Sequence, residues 1–174
     1  MGFGKAFLLS LVAFIGINFI FTIIYFLLLE DFDTLFSTIA GDPLMILYYL
    51  FGSILSIPFY NLKWLVIDPL LNNNMDNLIL GLGFLVAPLI AAILAGNFGE
   101  SKSQCFSGWL LTALVSSIAT IIGALLSQTF RTTIETTYEW STILSIIAFT
   151  ALSCLINIVF YSFFALAIFK TEYY

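Results

Sequence analysis

The sequence contains no histidine. That one absence removes the commonest metal ligand, the usual axial ligand of haem and the usual general base. Cysteine is scarce too: Cys105 and Cys154 are the only two, and they form no Cys-x-x-Cys pair, so zinc and thiol-redox motifs are missing. Charged residues make up 9% of the 174, against about 25% in a typical soluble domain. Cations are rarest, five Lys and Arg against ten Asp and Glu for a net charge of −5, and this argues against a nucleic-acid partner, which needs clustered cations to neutralise phosphate. No Asn-x-Ser/Thr acceptor for glycosylation occurs. The pattern therefore offers no catalytic, cofactor-binding or metal-binding residue, and it predicts a protein that is not an enzyme.

What the chain has in abundance is apolar surface. Hydrophobic residues reach 61% and aromatics 17%, with 19 Phe, and the mean hydropathy is +1.11. The solvent such a surface fits is lipid. A bilayer core about 30 Å thick needs roughly 20 apolar residues at 1.5 Å each. Five stretches reach that length: Ala6–Leu29, Leu44–Leu62, Asn77–Gly96, Cys105–Ser127, and Ser141 to Phe169. Charge or turn residues bound each one. The first has an apolar run longer than a signal-peptide core and no cleavage pattern before Glu30, so it reads as an anchor. The start MGFGKA lacks the Ser or Thr that myristoylation wants at position 6. The segment Trp64–Leu71 is too short to span and reads as interfacial or re-entrant, which leaves six crossings possible.

Positive-inside counting places Lys5, Lys63 and Arg131 inside, with Lys102 and Lys170 outside. It predicts an N-terminus inside a cell membrane, a C-terminus outside, and loops 30–43 and 96–104 on one face opposite 72–76. An interfacial belt would then hold Tyr25, Tyr48 and Trp109 at one boundary, and Trp64, Tyr138 and Trp140 at the other.

Two motifs invite chemistry. GNFGESKS, residues 96–103, misses a Walker A phosphate loop by one residue, since Ser101 stands where the second glycine belongs. It also lies between two apolar spans, where a phosphate loop needs a strand before it and a helix after it. A turn, with no nucleotide partner, is the expectation, and Gly96 and Gly99 read as helix-ending glycines free to take φ > 0. The acidic run EDFDTLFSTIAGD fails the calcium-loop order, because Leu35 and Phe36 replace a ligand and the glycine.

Within the spans no Asp, Glu, Lys or Arg occurs, so nothing is available to carry charge across low dielectric. Two amides do occur there, Asn18 and Asn157. Each should find a partner on another helix, and depth counting puts both in the outer half, where they could bond one another or line a solute path with Tyr161 and Pro88. Small residues recur at spacing four: Gly83, Ala87, Ala91 and Ala95 in the third span, and Gly108, Thr112, Ser116 and Thr120 in the fourth. Residues four apart form one ridge, and small ones let backbones approach, so these two spans are expected to form a close antiparallel hairpin with Phe84 toward lipid.

The fold these features predict is an all-α polytopic membrane bundle of about five transmembrane helices with short loops, forming one integral membrane domain over residues 1–174. Two functions are consistent with it. The first is a small accessory or structural subunit packed within a larger membrane complex, with the lipid bilayer and other membrane subunits as partners. The alternative is a transporter or channel component for a small neutral or apolar solute.

Overall fold

The computed structural model describes the chain except for residues 1, 30, 31, 72, 74, 76 and 170–174. The structure is an all-α bundle. Four helices are long and apolar enough to cross a bilayer: α1 (Gly2–Leu29), α6 (Leu78–Phe98), α7 (Lys102–Leu126) and α9 (Ile143–Ile168). Between α1 and α6 come α2 (Phe32–Gly41), then α3 (Met45–Phe51) with its 3-10 extension Gly52–Leu55, then α4 (Pro58–Leu62), a π-helical turn over Lys63–Ile67, and α5 (Asp68–Leu71). α8 (Gln128–Tyr138) lies between α7 and α9.

Three helix starts are capped by side chains, as the residue types require. Ser101 accepts from the Gln104 N–H, Ser127 from the Phe130 N–H, and Thr142 forms a reciprocal capping box with Ser145. GNFGESKS is thus the α6–α7 turn. Its glycines differ from expectation: no glycine among the described residues has positive φ. Gly99 does follow the last turn of α6, but with extended backbone (φ −79°, ψ 135°). Gly96 is inside the helix, and a Cβ there would meet the backbone carbonyl of Ala165. Close packing is what Gly96 provides.

The fifth apolar stretch is bent. Met45–Leu55 and Pro58–Leu71 meet at 93° across the break at Ser56 and Ile57. Contacts at the helix ends fix where this bent pair runs. Gly2 abuts Glu100 and Gln104, so the start of α1 and the α6–α7 turn share one face, the terminal face. Gly96 against Ala165 brings the end of α9 there as well. Asp42, just before α3, accepts a hydrogen bond from the Ser127 hydroxyl at the end of α7, which defines the opposite face. α3 therefore enters from the opposite face, and α6 begins at that same face. The pair goes in and comes back. This corrects the expected sidedness: loop 96–104 lies opposite the α2–α3 connection, and the start of α1 and the end of α9 share a face. The charge count that misplaced them treated Leu44–Leu62 as a crossing. Lys170 lies outside the described residues.

Helix α1 is the central packing partner. Its buried positions recur every fourth residue: Gly2, Ala6, Ser10, Phe14, Asn18, Thr22 and Phe26. This ridge lies against antiparallel α6 and parallel α7. Above the bundle on the opposite face, amphipathic α8 inserts Phe130, Ile134 and Tyr138 into a core with Met45, Trp64 and Trp140. The outward faces carry Leu8, Val12, Leu155, Val159 and Phe163, the last 78% exposed, as lipid contact demands.

Candidate functional site

An unwound segment inside hydrocarbon is tolerated only where its backbone groups find partners within the protein. The groups that need partners follow from a helix end and a proline. The 3-10 turn ends at Leu55 and Ser56 is extended, so the Ile54 carbonyl has no helical N–H to accept. A helical carbonyl accepts from the N–H four residues on, and proline has none, so Pro88, inside α6, orphans the carbonyl of Phe84. Two asparagines supply the missing donors. Asn157 Nδ2 donates to Ile54 O at 2.9 Å and to Ser56 O, at the break, at 3.1 Å. Asn61 Nδ2 reaches Phe84 O at 3.5 Å, and its Oδ1 accepts from Ser56 Oγ at 2.7 Å. Trp109 Nε1 donates to the Asn157 carbonyl at 3.3 Å, tying α7 to the same point. Asn61 and Asn157 are both essentially inaccessible.

The two asparagines singled out in the sequence do not meet. Asn18 Nδ2 donates to Phe14 O of its own helix at 2.9 Å, and Thr22 Oγ1 returns to Asn18 O at 3.0 Å. The correction is one of direction: α1 and α9 enter from opposite faces, so depths counted from a common side were not comparable. Asn157 Oδ1 and Asn18 Oδ1 are buried acceptors with no hydrogen-bond partner among the described residues. Tyr161 packs edge-on to Trp109 (5.7 Å between centroids) beside Asn157, whereas Pro88 acts through the carbonyl it leaves to Asn61.

The small-residue ridges are all in the interior, though not in the pairing expected. Gly83, Ala87, Ala91 and Ala95 are buried on α6, and Gly108, Thr112, Ser116 and Thr120 on α7. A Cβ on Gly83 would lie 2.6 Å from Phe21 Cβ, and one on Gly108 would lie 3.0 Å from Ala6 Cβ; both partners are on α1. Thr112 Oγ1 bonds Ser10 Oγ at 3.0 Å, again on α1. α1 is thus the helix both ridges receive most closely, and α6 and α7 are joined to each other chiefly through the cluster of Ala91, Ala92, Trp109 and Ala113. Ser116 and Thr120 turn their hydroxyls onto carbonyls of α7 itself. Phe84 is buried against Trp64, not facing lipid.

A cavity of about 340 Å³ opens on the opposite face beside the re-entrant pair, close to the lower end of small-molecule pockets. Its floor is the buried Phe26, Met45, Trp64 and Phe84, and its rim includes the exposed Thr34, Thr129 and Thr137. Thr129, Thr133 and Thr137 make one face of α8, and Thr34 and Thr38 make the facing side of α2. Thr133 donates its hydroxyl proton back to Thr129 O, which leaves its oxygen able to accept. Among the described residues no Asp, Glu, Lys or Arg lines this space. The expected aromatic belt is redistributed: Tyr25, Tyr48 and Trp64 line the cavity, Tyr138 and Trp140 stack at 4.8 Å on the same face, and Trp109 is fully buried in the bundle.

No group of three or more metal-ligating side chains occurs among the described residues, and both cysteines are buried and free. Comparison with family models, curated proteins and solved structures finds no match for this chain.

Sequence reasoning passed over three features of this site. Asn61 went unremarked at a span end, although it lies three residues after the proline that opens α4. The threonine ladder of α8 was read only as a boundary, although Thr-x₃-Thr-x₃-Thr is a helical face. The α1 ridge was hidden because Phe14 and Phe26 interrupt its small residues.

Proposed function

We propose that this protein is a solute-binding membrane protein, a transporter or channel component whose small organic solute enters the cavity beside the re-entrant pair. The observation that carries this reading is the pairing of an accessible, charge-free cavity with a broken helix whose orphaned carbonyls are held by Asn61 and Asn157. Discontinuous helices are costly in lipid, and membrane proteins use them where backbone must line a path or site. The accessory-subunit reading, which rested on small-residue ridges, short loops and missing reactive groups, draws less support from a bundle whose ridges are already packed. Those ridges pack against α1 and α9 of the same chain. The reading is non-enzymatic, with no acid–base pair in the cavity.

In the same proposal the protein sits in the cell membrane with its N-terminus inside. Lys5 and Lys102 flank spans on the terminal face, and Lys170 follows α9 in the sequence. The cavity then opens outward.

Thermal unfolding in mild detergent, read through labelling of the buried Cys105 and Cys154, tests the binding half against a panel of small organic solutes. A true ligand raises the midpoint as its concentration passes its Kd. Thr133→Trp, which fills the cavity from its lining, should abolish that rise. Stabilisation that survives the filled cavity would refute the site. Purification as a stoichiometric assembly with another membrane chain, with no solute effect, would restore the subunit reading.

A further inference from the structure

Resting on that solute-binding reading, we propose that the cavity is an aromatic box for a small alkylammonium cation, a quaternary or fully alkylated amine. Six aromatic side chains, Tyr25, Phe26, Tyr48, Tyr49, Trp64 and Phe84, surround one space. Their planes do not stack into a closed column. Phe26 and Tyr49 stand at 90° to one another with centroids 5.7 Å apart, Tyr48 and Tyr49 at 74°, and Trp64 and Phe84 at 57°. In the proposed box, faces of these rings turn to the void, and their negative quadrupole attracts a cation that hydrogen bonds cannot hold. A quaternary ammonium has no N–H to satisfy, so a wall of rings and threonine oxygens loses nothing by lacking a carboxylate in contact with it.

The surrounding charge selects the sign. On the cavity's face the described acids include Asp33, Asp42, Glu135 and Glu139, against Lys63 and Arg131. Arg131 is engaged, donating from Nε and Nη2 to the Ala124 carbonyl at 3.3 Å. Asp42 lies beside the rim, hydrogen-bonded to Ser127, and the Thr129 hydroxyl, which lines the cavity, also favours its ionised form. A carboxylate solute would meet ring faces and acids together. A neutral solute would gain apolar contact and no benefit from the field. The cation gains from both, and the acids raise its local concentration at the mouth. The volume, about 340 Å³, suits a compact ion rather than a long-chain amphiphile.

The probes are choline, its uncharged carbon isostere 3,3-dimethylbutan-1-ol, and the anion 3,3-dimethylbutanoate, titrated by calorimetry into the full chain in an uncharged detergent at low salt. Choline should bind at least about ten-fold tighter than the isostere, and the anion should not bind, as cation–π attraction at several rings predicts. Tyr49→Leu should weaken choline roughly five-fold, and Tyr49→Phe should retain it, because the ring face and not the hydroxyl holds the ion. Equal or tighter binding of the isostere, weakened alike by Tyr49→Leu, would overturn the cation assignment and leave the solute-binding site standing. Absence of choline binding would overturn the assignment as well, and the broader panel under Thr133→Trp then decides the site independently.

Discussion

Replacing Asn157 with leucine, a residue of similar size with no donor, should unseat the broken segment. The wild-type amide holds two carbonyls, Ile54 O at 2.9 Å and Ser56 O at 3.1 Å, at a place where three helices exclude water. Leaving a buried carbonyl unpaired costs about 1–3 kcal/mol in proteins generally. Hydrogen bonds between membrane helices measure lower, about 0.6 kcal/mol on average and up to about 1.7, because the unfolded chain also finds partners. Ile54 O is at the upper end of that scale, since the 3-10 turn ends at Leu55 and places no helical N–H to take it. Two such bonds give a loss of roughly 1–3 kcal/mol. Asn18→Leu is the matched control: its amide shares Phe14 O, a carbonyl already within the α1 ladder, so removal orphans no backbone group and should cost under ~0.6 kcal/mol. Equilibrium unfolding of both variants in the same detergent mixture, followed by reactivity of the two buried cysteines, measures the difference. Equal losses, or a larger loss for Asn18→Leu, would show that Asn157 is not what holds the break.

Three further outcomes are expected. In a background with both native cysteines replaced by serine, single cysteines at Ser103 and Gln128, both exposed, should label from opposite sides of sealed vesicles, and one at Ser37 should follow Gln128; joint labelling of positions 37 and 103 would restore a five-crossing path. Gly96→Val should destabilise by roughly 1–3 kcal/mol by forcing side-chain atoms into the Ala165 backbone, whereas Gly4→Ala, with no atom within 4 Å of the new Cβ, should be neutral or stabilising; a harmless Gly96→Val would mean α6 and α9 are farther apart than described. Asp42 is held below its ordinary 3.8 chiefly by the Ser127 hydroxyl, so its contribution is full above that value and is lost as pH falls through the lower folded value. Acid unfolding of Asp42→Asn should therefore show a shallower loss below pH 3.8 than wild type, and superimposable curves would remove the Asp42–Ser127 link from the stability of that face.

Element type and lipid exposure were legible in the sequence because both rest on composition and length. The four long helices begin and end within a few residues of their expected bounds, and Ser101 and Thr142 cap the starts of α7 and α9. The small-residue ridges were legible as buried faces for the same reason. Their partners were not, since a ridge at spacing four states how near a neighbour comes and not which helix it is. The direction of Leu44–Leu62 was illegible to hydropathy, because a re-entrant pair and a crossing have the same apolar count. Pro58 marks the start of a new helix after a break, and how the break is held depends on an amide 103 positions away from the Ile54 carbonyl. The cavity, too, is tertiary: its threonines come from α1, α2 and α8 and its rings from α1, α3, α6 and the π turn, and no single window of sequence contains them.

The distance along the chain between Asn157 and its two carbonyls, 103 and 101 residues, sets an order of biogenesis. α1 can wait alone in lipid after insertion, since Asn18 and Thr22 bond their own helix. The re-entrant pair has no such independence. Its broken carbonyls are synthesised long before the donor that satisfies them, so until α9 arrives they must remain at the membrane surface or borrow water. Seating of the pair is therefore coupled to α9, and the cavity beside it is complete only after α9 has been inserted.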